Sequence, residues 1–162
     1  MDLIVRPAVE SNFDGVSHIF EQENAYHVKL VPEFITVIKP ILKLNELKAI
    51  IDRTDRELLV AEMAGKIIGA ALVSVGSPGT ERWIRSRRVA YVEDIAVEET
   101  HRRRGAGREL MEAVAEWAQL QGLDEIQLHV WEKNRPGRAF YESLGYELTQ
   151  HTMRKKISDN IN

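Results

Sequence analysis

A change of hydrophobic period between residues 89 and 122 constrains the fold more than any other feature of this sequence. Val89 to Val97 is rich in branched apolar residues and predicts a strand. One helical face then carries Leu110, Val114, Trp117 and Ala118, and Gly122 suits the position after that helix. Only a charged turn, Glu98 to Arg104, separates the two patterns. The chain therefore needs a strand that leads through a tight turn directly into a helix.

Further strand and helix patterns flank this segment. They predict, in chain order, a strand Asp2 to Arg6, a helix from Ser11, short helices between Pro32 and Pro40 and after Asn45, a hairpin over 57–75 with its turn at Met63 to Lys66, a strand Glu125 to Trp131, a helix Pro136 to Leu144, and closing strands Tyr146 to Thr149 and Thr152 to Ile157. This order predicts an α+β fold, an α/β-type mixed sheet flanked by helices.

Length and composition predict one soluble domain over residues 1–162, because 162 residues suffice for a sizeable core. Apolar residues make up 44% and charged residues 29%, as in ordinary globular proteins. No apolar run approaches the roughly 18 residues that cross a bilayer. The start Met1-Asp2 also lacks the basic and apolar order of a signal peptide. We therefore predict a cytoplasmic protein with no membrane partner.

Residue counts exclude several kinds of site. The chain has no cysteine, which excludes disulfides, thiolate metal sites and a cysteine nucleophile, and we predict no metal centre. The net charge of −3 argues against a general nucleic-acid-binding protein. Eight of the 22 Lys and Arg residues nevertheless lie between Arg82 and Arg108. That concentration suits an anionic ligand of limited size.

The turn before the second pattern has the composition of a phosphate site. Gly105 and Gly107 allow backbone N–H groups to approach a ligand closely, and a helix N-terminus offers unpaired donors and partial positive charge. Four arginines surround them within residues 102–108. The sequence lacks the third glycine of a dinucleotide-binding fingerprint and the Gly-Lys-Ser/Thr of a nucleoside triphosphate loop, so both of these sites are disfavoured. The alternative is a basic helix start exposed to solvent, although arginine there opposes the helix dipole.

These residues resemble the GNAT superfamily of N-acetyltransferases. Its pattern Arg/Gln-x-x-Gly-x-Gly/Ala is matched by Arg102, Gly105 and Gly107. A second block, Asn-x-x-Ala-x-x-x-Tyr then Gly-Phe/Tyr, is matched by Asn134, Tyr141 and Gly145-Tyr146, with Gly137 in place of the alanine. The resemblance covers about residues 89–150 and implies a GNAT-like acyl-CoA N-acyltransferase fold with splayed central strands.

The resemblance also implies acetyl-CoA as donor and coenzyme A as product. The pantetheine arm would pair with the backbone of Ile95, Ala96 and Val97, and the N–H of Val97 would polarise the thioester carbonyl. Asn134 would contact the cofactor from the next helix start. The phosphates would bind the turn and helix start, which comprise Arg102, Arg103, Arg104, Gly105, Ala106, Gly107 and Arg108.

Transfer to an amine needs a base, because an alkylamine with a pKa near 10.4 attacks only when neutral. Glu93 is the first candidate, since a regular strand gives it Tyr91 and Ile95 as neighbours and apolar surroundings raise a carboxyl pKa. His129 is the second and Asp94 the third, and a water chain remains an alternative. Tyr141 is predicted to protonate the leaving thiolate, because a phenol and a thiol have similar pKa values. The alternative for Tyr141 is a core aromatic.

The amine acceptor stays open at this point, as a small molecule or a protein. Arg82 to Arg88 either favours an acidic acceptor or is a solvated charge run. By resemblance His27, Pro32 and Phe34 would line the opposite wall, and a homodimer is common in the family. The alternatives to an acetyltransferase are an acyl-CoA-binding sensor or interaction domain with weak activity, and an enzyme that uses a longer acyl donor.

Overall fold

Five strands and four α-helices make up residues 2–157, the part of the chain that this computed structural model describes. The strands are β1 (Leu3–Pro7), β2 (Arg56–Met63), β3 (Lys66–Gly76), β4 (Val89–Val97) and β5 (Ile126–Gln127). The helices are α1 (Phe13–Leu30), α2 (Leu44–Ile51), α3 (Ala106–Leu120) and α4 (Arg135–Ser143), and short 3-10 turns lie at Glu10–Asn12 and Glu99–His101. The predicted fold, a mixed sheet flanked by helices, is confirmed.

The five strands form one sheet in the order β1-β2-β3-β4-β5. The first four are antiparallel neighbours, whereas β4 and β5 run parallel. The predicted hairpin joins β2 to β3 through Ala64 and Gly65, whose φ angles are 52° and 76°. Positive φ at both central residues matches the right-handed twist of the paired strands, which is why two-residue hairpins select it.

Helices cover both faces of the sheet. One face packs against α1 and α2 through a buried cluster that includes Val16, Ile19, Phe20, Leu47, Ile50, Leu58, Val60, Ala70 and Ala96. On the other face, Leu110 of α3 lies beside Gly69, where an added Cβ would be 3.2 Å from its Cδ1. Adjacent strand residues point to opposite faces, so Gly69 and Ala70 assign α3 to the face opposite α1.

Gly15 allows α1 to pack closely against β3. A Cβ at this position would lie 2.8 Å from Cβ of Ile67 and 2.9 Å from its Cγ1, closer than real Cβ contacts. We expect Gly15→Ala to destabilise the protein by up to about 2 kcal/mol, because overpacking costs roughly 1–3 kcal/mol and better helix propensity returns about 1 kcal/mol. Urea unfolding measures this, with Lys29→Ala at an exposed position of α1 as control. A more stable Gly15→Ala protein would contradict the packing argument.

The predicted helix between Pro32 and Pro40 is wrong. Residues 32–34 form a turn, and residues 35–43 have no regular secondary structure. Neither proline can donate a helical hydrogen bond. Instead, Asn24 of α1 accepts the N–H of Ile38 at 3.1 Å and donates from Nδ2 to the carbonyl of Thr36 at 3.1 Å. A side chain of α1 thus satisfies backbone groups that the sequence pattern had placed in a helix.

Strand pairing near the C-terminal end is shorter than predicted. Of the predicted strand Glu125 to Trp131, only Ile126–Gln127 pairs with β4, and the predicted strands Tyr146 to Thr149 and Thr152 to Ile157 do not form. Alternating residues describe a half-buried surface, but a strand also requires a neighbour with free N–H and C=O groups. Met153 and Ile157 are 94% and 97% exposed, so their segment buries no apolar face.

The chain divides into two compact units after His129. The first contains the sheet with α1, α2 and α3, and the second begins at Val130 and contains α4. The expectation of a single domain over residues 1–162 stays a prediction.

Candidate functional site

The central feature of the first unit is a free edge on β4. β5 accompanies β4 only at Ala90 and Tyr91, while β3 pairs with β4 on the other side as far as Val97. Pairing between β4 and the outer strand β5 therefore ends at Tyr91, as the predicted splay requires. Because ladder groups are shared between two strands, this separation leaves the outer edge of β4 without a strand partner among the described residues.

The backbone of Val97 faces this free edge. The next residue, Glu98, donates its N–H to the carbonyl of Ile68 on the β3 side at 2.7 Å. Backbone groups of successive strand residues point in opposite directions, so the N–H and C=O of Val97 point outward. Arg102 Nε accordingly reaches the Val97 carbonyl from outside at 3.0 Å. A ligand that lies along this edge can thus use main-chain donors and acceptors.

The turn after β4 ends in an exposed helix start. Gly105 has φ 92° and forms the N-cap of α3, and Arg103 has the left-handed φ of 63°. Glu109 donates its N–H to the Gly105 carbonyl at 3.0 Å. The N–H groups of residues 106–108 precede this first helical hydrogen bond, so they belong to the donors that a helix N-terminus leaves for another acceptor. Such a group of donors binds phosphate.

A buried carboxylate anchors this turn to the sheet. The side chain of Glu98 is only 8% exposed, and its oxygens lie 2.7 Å from Lys66 Nζ and 2.6 Å from His101 Nδ1. Thr100 Oγ1 donates to the same carboxylate at 3.3 Å. The hydrogen bond from Lys66 is the main reason that the pKa of Glu98 is lowered, and His101 adds to it. The turn therefore leaves β4 in a fixed direction.

A β-bulge decides which side chains of β4 meet the helices. Leu72 pairs with Asp94 and Val73 pairs with Val92, so Glu93 has no partner on β3. The expected alternation from Tyr91 to Ile95 is broken, since these residues pair with Ser74 and Ala71 on opposite faces.

The predicted apolar surroundings of Glu93 are therefore wrong. The bulge exposes Glu93, and its carboxylate forms two hydrogen bonds with Arg56, at 2.8 Å from Nε and 3.1 Å from Nη2. The bidentate pair with arginine occupies both oxygens of this carboxylate. The role of Glu93 as general base stays a prediction, and the structure gives it a partner that competes for that role.

The sheet-facing stripe of α1 changes from apolar to acidic along the helix. Val16, Ile19 and Phe20 are buried, and the same helical spacing continues through Glu23 and His27. The side chain of Glu23 is 15% exposed and that of His27 is 23% exposed, and His27 Nδ1 lies 3.2 Å from Glu23 Oε1. A carboxylate therefore occupies a core-facing position of α1.

Asp94 projects from β4 toward this acidic end of α1, as its partner Leu72 packs against the α1 cluster. Burial raises the pKa of Asp94 to about 6, and repulsion by the charge of Glu23 adds to the shift, whereas His27 opposes it. Burial also raises the pKa of Glu23 to about 7, against the attraction of Arg102. Both raised pKa values therefore lie close to neutral pH, which suits a group that accepts and releases a proton during a reaction.

Sequence reasoning placed Asp94 third among the base candidates and missed Glu23. The signal for Glu23 was present, because a carboxylate on the apolar phase of an amphipathic helix is unusual unless it has a function or a partner. We call Glu23 and Asp94 the carboxylate pair.

Ionisation of the carboxylate pair should lower the free energy of unfolding at alkaline pH. The folded protein raises the pKa of Glu23 from 4.5 to about 7, so its stabilising contribution is greatest below pH 4.5 and is lost as the pH rises through 7. We expect Glu23→Gln to increase the free energy of unfolding by about 1–3 kcal/mol at pH 8, since one pKa unit corresponds to roughly 1.4 kcal/mol. At pH 4.5 the gain should be small. Urea unfolding at both pH values tests this, with Glu21→Gln on the same helix as control, and an equal effect at both pH values would contradict it.

His129 closes the first unit and hydrogen-bonds to β4. Its Nδ1 lies 2.9 Å from Tyr91 Oη, and the two rings meet edge to face with centroids 5.7 Å apart. Burial, with a smaller contribution from the charge of Glu93, raises the pKa of Tyr91. His129 is exposed and already engaged with a phenol. Its role as a base stays a prediction.

In the second unit, Asn134 caps α4 and accounts for the glycine at position 137. Asn134 Oδ1 accepts the N–H of Gly137 at 3.1 Å. A Cβ on residue 137 would lie 2.5 Å from Asn134 Nδ2, so alanine, the usual family residue, does not fit this cap. Tyr141 lies on α4 with its ring centroid 5.2 Å from that of Phe140 and 5.8 Å from that of Tyr146. The cofactor contact of Asn134 and the acid role of Tyr141 stay predictions.

Comparison with known families adds an independent observation. The model of the acetyltransferase (GNAT) family matches residues 22–146. The chain belongs to this acetyltransferase (GNAT) family. The matched range includes the carboxylate pair, the free edge of β4, the turn and the start of α3, and Tyr141. Among residues 2–157, no helix is long and apolar enough to span a bilayer, and no three His, Asp or Glu side chains are placed to hold a metal ion.

Individual relatives are N-acetyltransferases or share the fold. Glucosamine 6-phosphate N-acetyltransferase of Trypanosoma brucei brucei is 27% identical over 83% of this chain and 89% of that protein. A mutant of the BH1408 protein of Bacillus halodurans has a TM-score of 0.87 and 26% identity, covering 96% of this chain and 99% of that one. The aminoglycoside enzyme AAC(6')-Iy, solved with the bisubstrate analog CoA-S-monomethyl-acetylneamine, has a TM-score of 0.70 and 19% identity, covering 98% and 99%. The chain spans only 44% of the length of YycN, an uncharacterized N-acetyltransferase of Bacillus subtilis (strain 168).

Proposed function

We propose that this protein transfers the acetyl group of acetyl-CoA to a primary amine of a small molecule. The observation that carries the proposal is the free edge of β4, which leads to the exposed start of α3 and starts beside the carboxylate pair. A molecule with a reactive thioester, an extended arm with amides and a pyrophosphate, in that order, fits the edge from the carboxylate pair to the start of α3. Membership of the acetyltransferase (GNAT) family supports this choice of donor.

The donor is held mainly by backbone groups in this proposal. The outward backbone groups of Ile95 and the outward carbonyl of Val97 pair with the pantetheine arm, whereas Ala96 pairs with Ala70 and its backbone groups point to β3, so the prediction for Ala96 is wrong. The pyrophosphate accepts hydrogen bonds from the N–H groups of residues 106–108. Around these donors, Arg103, Arg104 and Arg108 supply positive charge for the phosphates, whereas the guanidinium of Arg102 is already bound to the Val97 carbonyl. Gly105 leaves open space beside the donors.

The carboxylate pair serves the acceptor. A cationic amine is attracted to Glu23 and Asp94, and the amine must lose a proton before it attacks the thioester carbon. Asp94, with a pKa of about 6, accepts that proton directly or through water, and Glu23 shares it. Because the acid form of each carboxyl group is populated near neutral pH, the proton can also be passed on to solvent after each turnover.

Acetyl transfer then needs an oxyanion donor and an acid. The amine first adds to the thioester carbon, which forms the C–N bond and an oxyanion that the N–H of Val97 stabilises. The C–S bond then breaks as the carbonyl re-forms and the thiolate leaves. Tyr141, through its place in the family motif, protonates the leaving thiolate. The chain has no cysteine to carry the acetyl group, which favours direct transfer in a ternary complex.

Two measurements on the purified protein test the proposal. Calorimetry measures acetyl-CoA binding, and a thiol reagent measures coenzyme A release with glucosamine 6-phosphate, an aminoglycoside, an amino acid with a side-chain amine and a polyamine. We expect binding together with release that depends on one of these amines. Binding without release on any amine would favour an acyl-CoA sensor, and no binding would exclude both functions.

A further inference from the structure

Arg102 contacts both the donor side and the acceptor side of the proposed site. Its Nε donates to the carbonyl of Val97 at 3.0 Å, on the free edge of β4. Its guanidinium carbon lies 5.6 Å from the ring centroid of Tyr26 on α1, in cation–π geometry. Tyr26 is three residues from Glu23, and the charge of Arg102 acts on that carboxylate. One side chain therefore bridges β4 and the acidic end of α1.

We propose that Arg102 is a positioning residue that aligns the free edge of β4 with the carboxylate pair on α1 and β4 by holding the Val97 carbonyl and the Tyr26 ring together. The inference rests on the proposed function of this site and adds a role for the side chain of a residue whose backbone lies in the phosphate turn. This role favours arginine over lysine at position 102. The planar guanidinium can donate a hydrogen bond while its face covers an aromatic ring.

The backbone of Arg102 is anchored well enough for this role. Its N–H donates to the Glu99 carbonyl at 3.3 Å, and the N–H of His101 donates to the Glu98 carbonyl at 2.9 Å. Glu98 is in turn fixed by Lys66 on β3. The side chain of Arg102 therefore starts from a turn that is tied to the sheet, and its reach to α1 sets a distance between sheet and helix.

The charge of Arg102 also acts on the environment of Glu23. The groups that face the carboxylate pair are His27 on α1, Arg102 in the turn, and Glu93 beside Asp94 on β4. Among these groups, Arg102 is the one whose charge lowers the pKa of Glu23. Loss of the Arg102 charge must raise the pKa of Glu23, so the carboxylate pair stays protonated to a higher pH. The acid limb of the rate profile, where kcat/KM falls as the pH is lowered, then moves to a higher pH.

Carbon-13 NMR of carboxyl-labelled protein tests the electrostatic part without any substrate. Titration of the wild type, Arg102→Gln and Arg102→Lys follows the Glu23 signal, which Glu23→Gln assigns by its disappearance. We expect Arg102→Gln to raise the pKa of Glu23 by about 0.5–1 unit. This is a small shift for the loss of a neighbouring charge, because the arginine is exposed and solvent screens it. Arg102→Lys should give a smaller shift, and Arg104→Gln, a neighbour in the same turn, none. An unchanged Glu23 titration in Arg102→Gln would overturn the proposal.

Kinetics separate this inference from the proposed function. The kinetics use an amine that the wild type acetylates, at saturating acetyl-CoA. Arg102→Gln should move the acid limb of kcat/KM for the amine to a higher pH, by the same number of pH units as the pKa of Glu23. Arg102→Lys, which keeps the charge but not the planar fork, should lower kcat about tenfold with a smaller limb shift. A wild-type kcat in Arg102→Lys would refute the positioning role, and an acid limb that stays in place in Arg102→Gln would refute the electrostatic effect on Glu23. A wild type without turnover on any amine would refute the proposed function instead, whatever the NMR titration gives.

Discussion

Asp94→Asn should lower kcat/KM for the amine acceptor by about 10²–10⁴-fold, the range that general acid–base groups contribute. Asparagine keeps the size of the side chain but cannot accept the proton that the attacking amine must lose. Because Asp94 belongs to the acceptor side, the dissociation constant of acetyl-CoA should stay within about threefold of the wild type, a change of well under 1.4 kcal/mol. Thiol release and calorimetry measure the two quantities.

The adjacent carboxylate provides the matched control for this prediction. Glu93 lies next to Asp94 but is exposed and bound to Arg56. We expect Glu93→Gln to lower kcat/KM by less than about tenfold, because the effect of an ion-paired surface carboxylate is small. If Glu93→Gln loses activity and Asp94→Asn retains it, the sequence-based choice of Glu93 is correct and the carboxylate pair is not the base. The same comparison with His129→Gln tests the second candidate.

Tyr141→Phe should lower kcat by about 10²–10³-fold, within the range for a general acid. A thiolate is a better leaving group than an alkoxide, so a water molecule can replace part of the lost acid and the largest effects are not expected. Phenylalanine keeps the ring contacts with Phe140 and Tyr146, so the fold should be retained. The measurement is kcat from thiol release at saturating acetyl-CoA, with cofactor binding determined separately.

Tyr146→Phe is the control for the phenol. Its ring lies 5.8 Å from that of Tyr141, and burial raises the pKa of Tyr146. A comparable loss of kcat in both variants would show that removal of either hydroxyl from this aromatic cluster lowers kcat, rather than the loss of a proton that Tyr141 alone supplies. Full activity in Tyr141→Phe would assign the proton to water.

The carboxylate pair links these activity predictions to stability. The folded protein raises the pKa of both Glu23 and Asp94, so it holds two groups that destabilise it once they ionise. If a substitution in the carboxylate pair lowers activity and raises stability at pH 8, the pair behaves as a site that is maintained for function. Substitutions in a purely structural ion pair have the opposite sign, because they leave a buried partner uncompensated.

The sequence alone determined the parts of the protein whose signals are local. β4 has the predicted bounds, the hairpin turns at Ala64 and Gly65, and α3 begins after Gly105 as the glycine-rich turn indicated. In each case a few neighbouring residues dictate the conformation, through strand propensity, positive φ or a helix start. The family motif around Arg102 is of the same kind, and the family assignment follows from it.

Only the tertiary structure decided which carboxylate is proposed as the base. The bulge at Glu93 is a property of the register between β3 and β4, and no pattern within one strand encodes it. The burial of Glu23 depends on the rotation of α1 over the sheet, and the free edge of β4 depends on where β5 stops. These are relations between segments far apart in the chain, so residue types and spacing indicated acyl transfer while packing and register selected the side chains proposed to perform it.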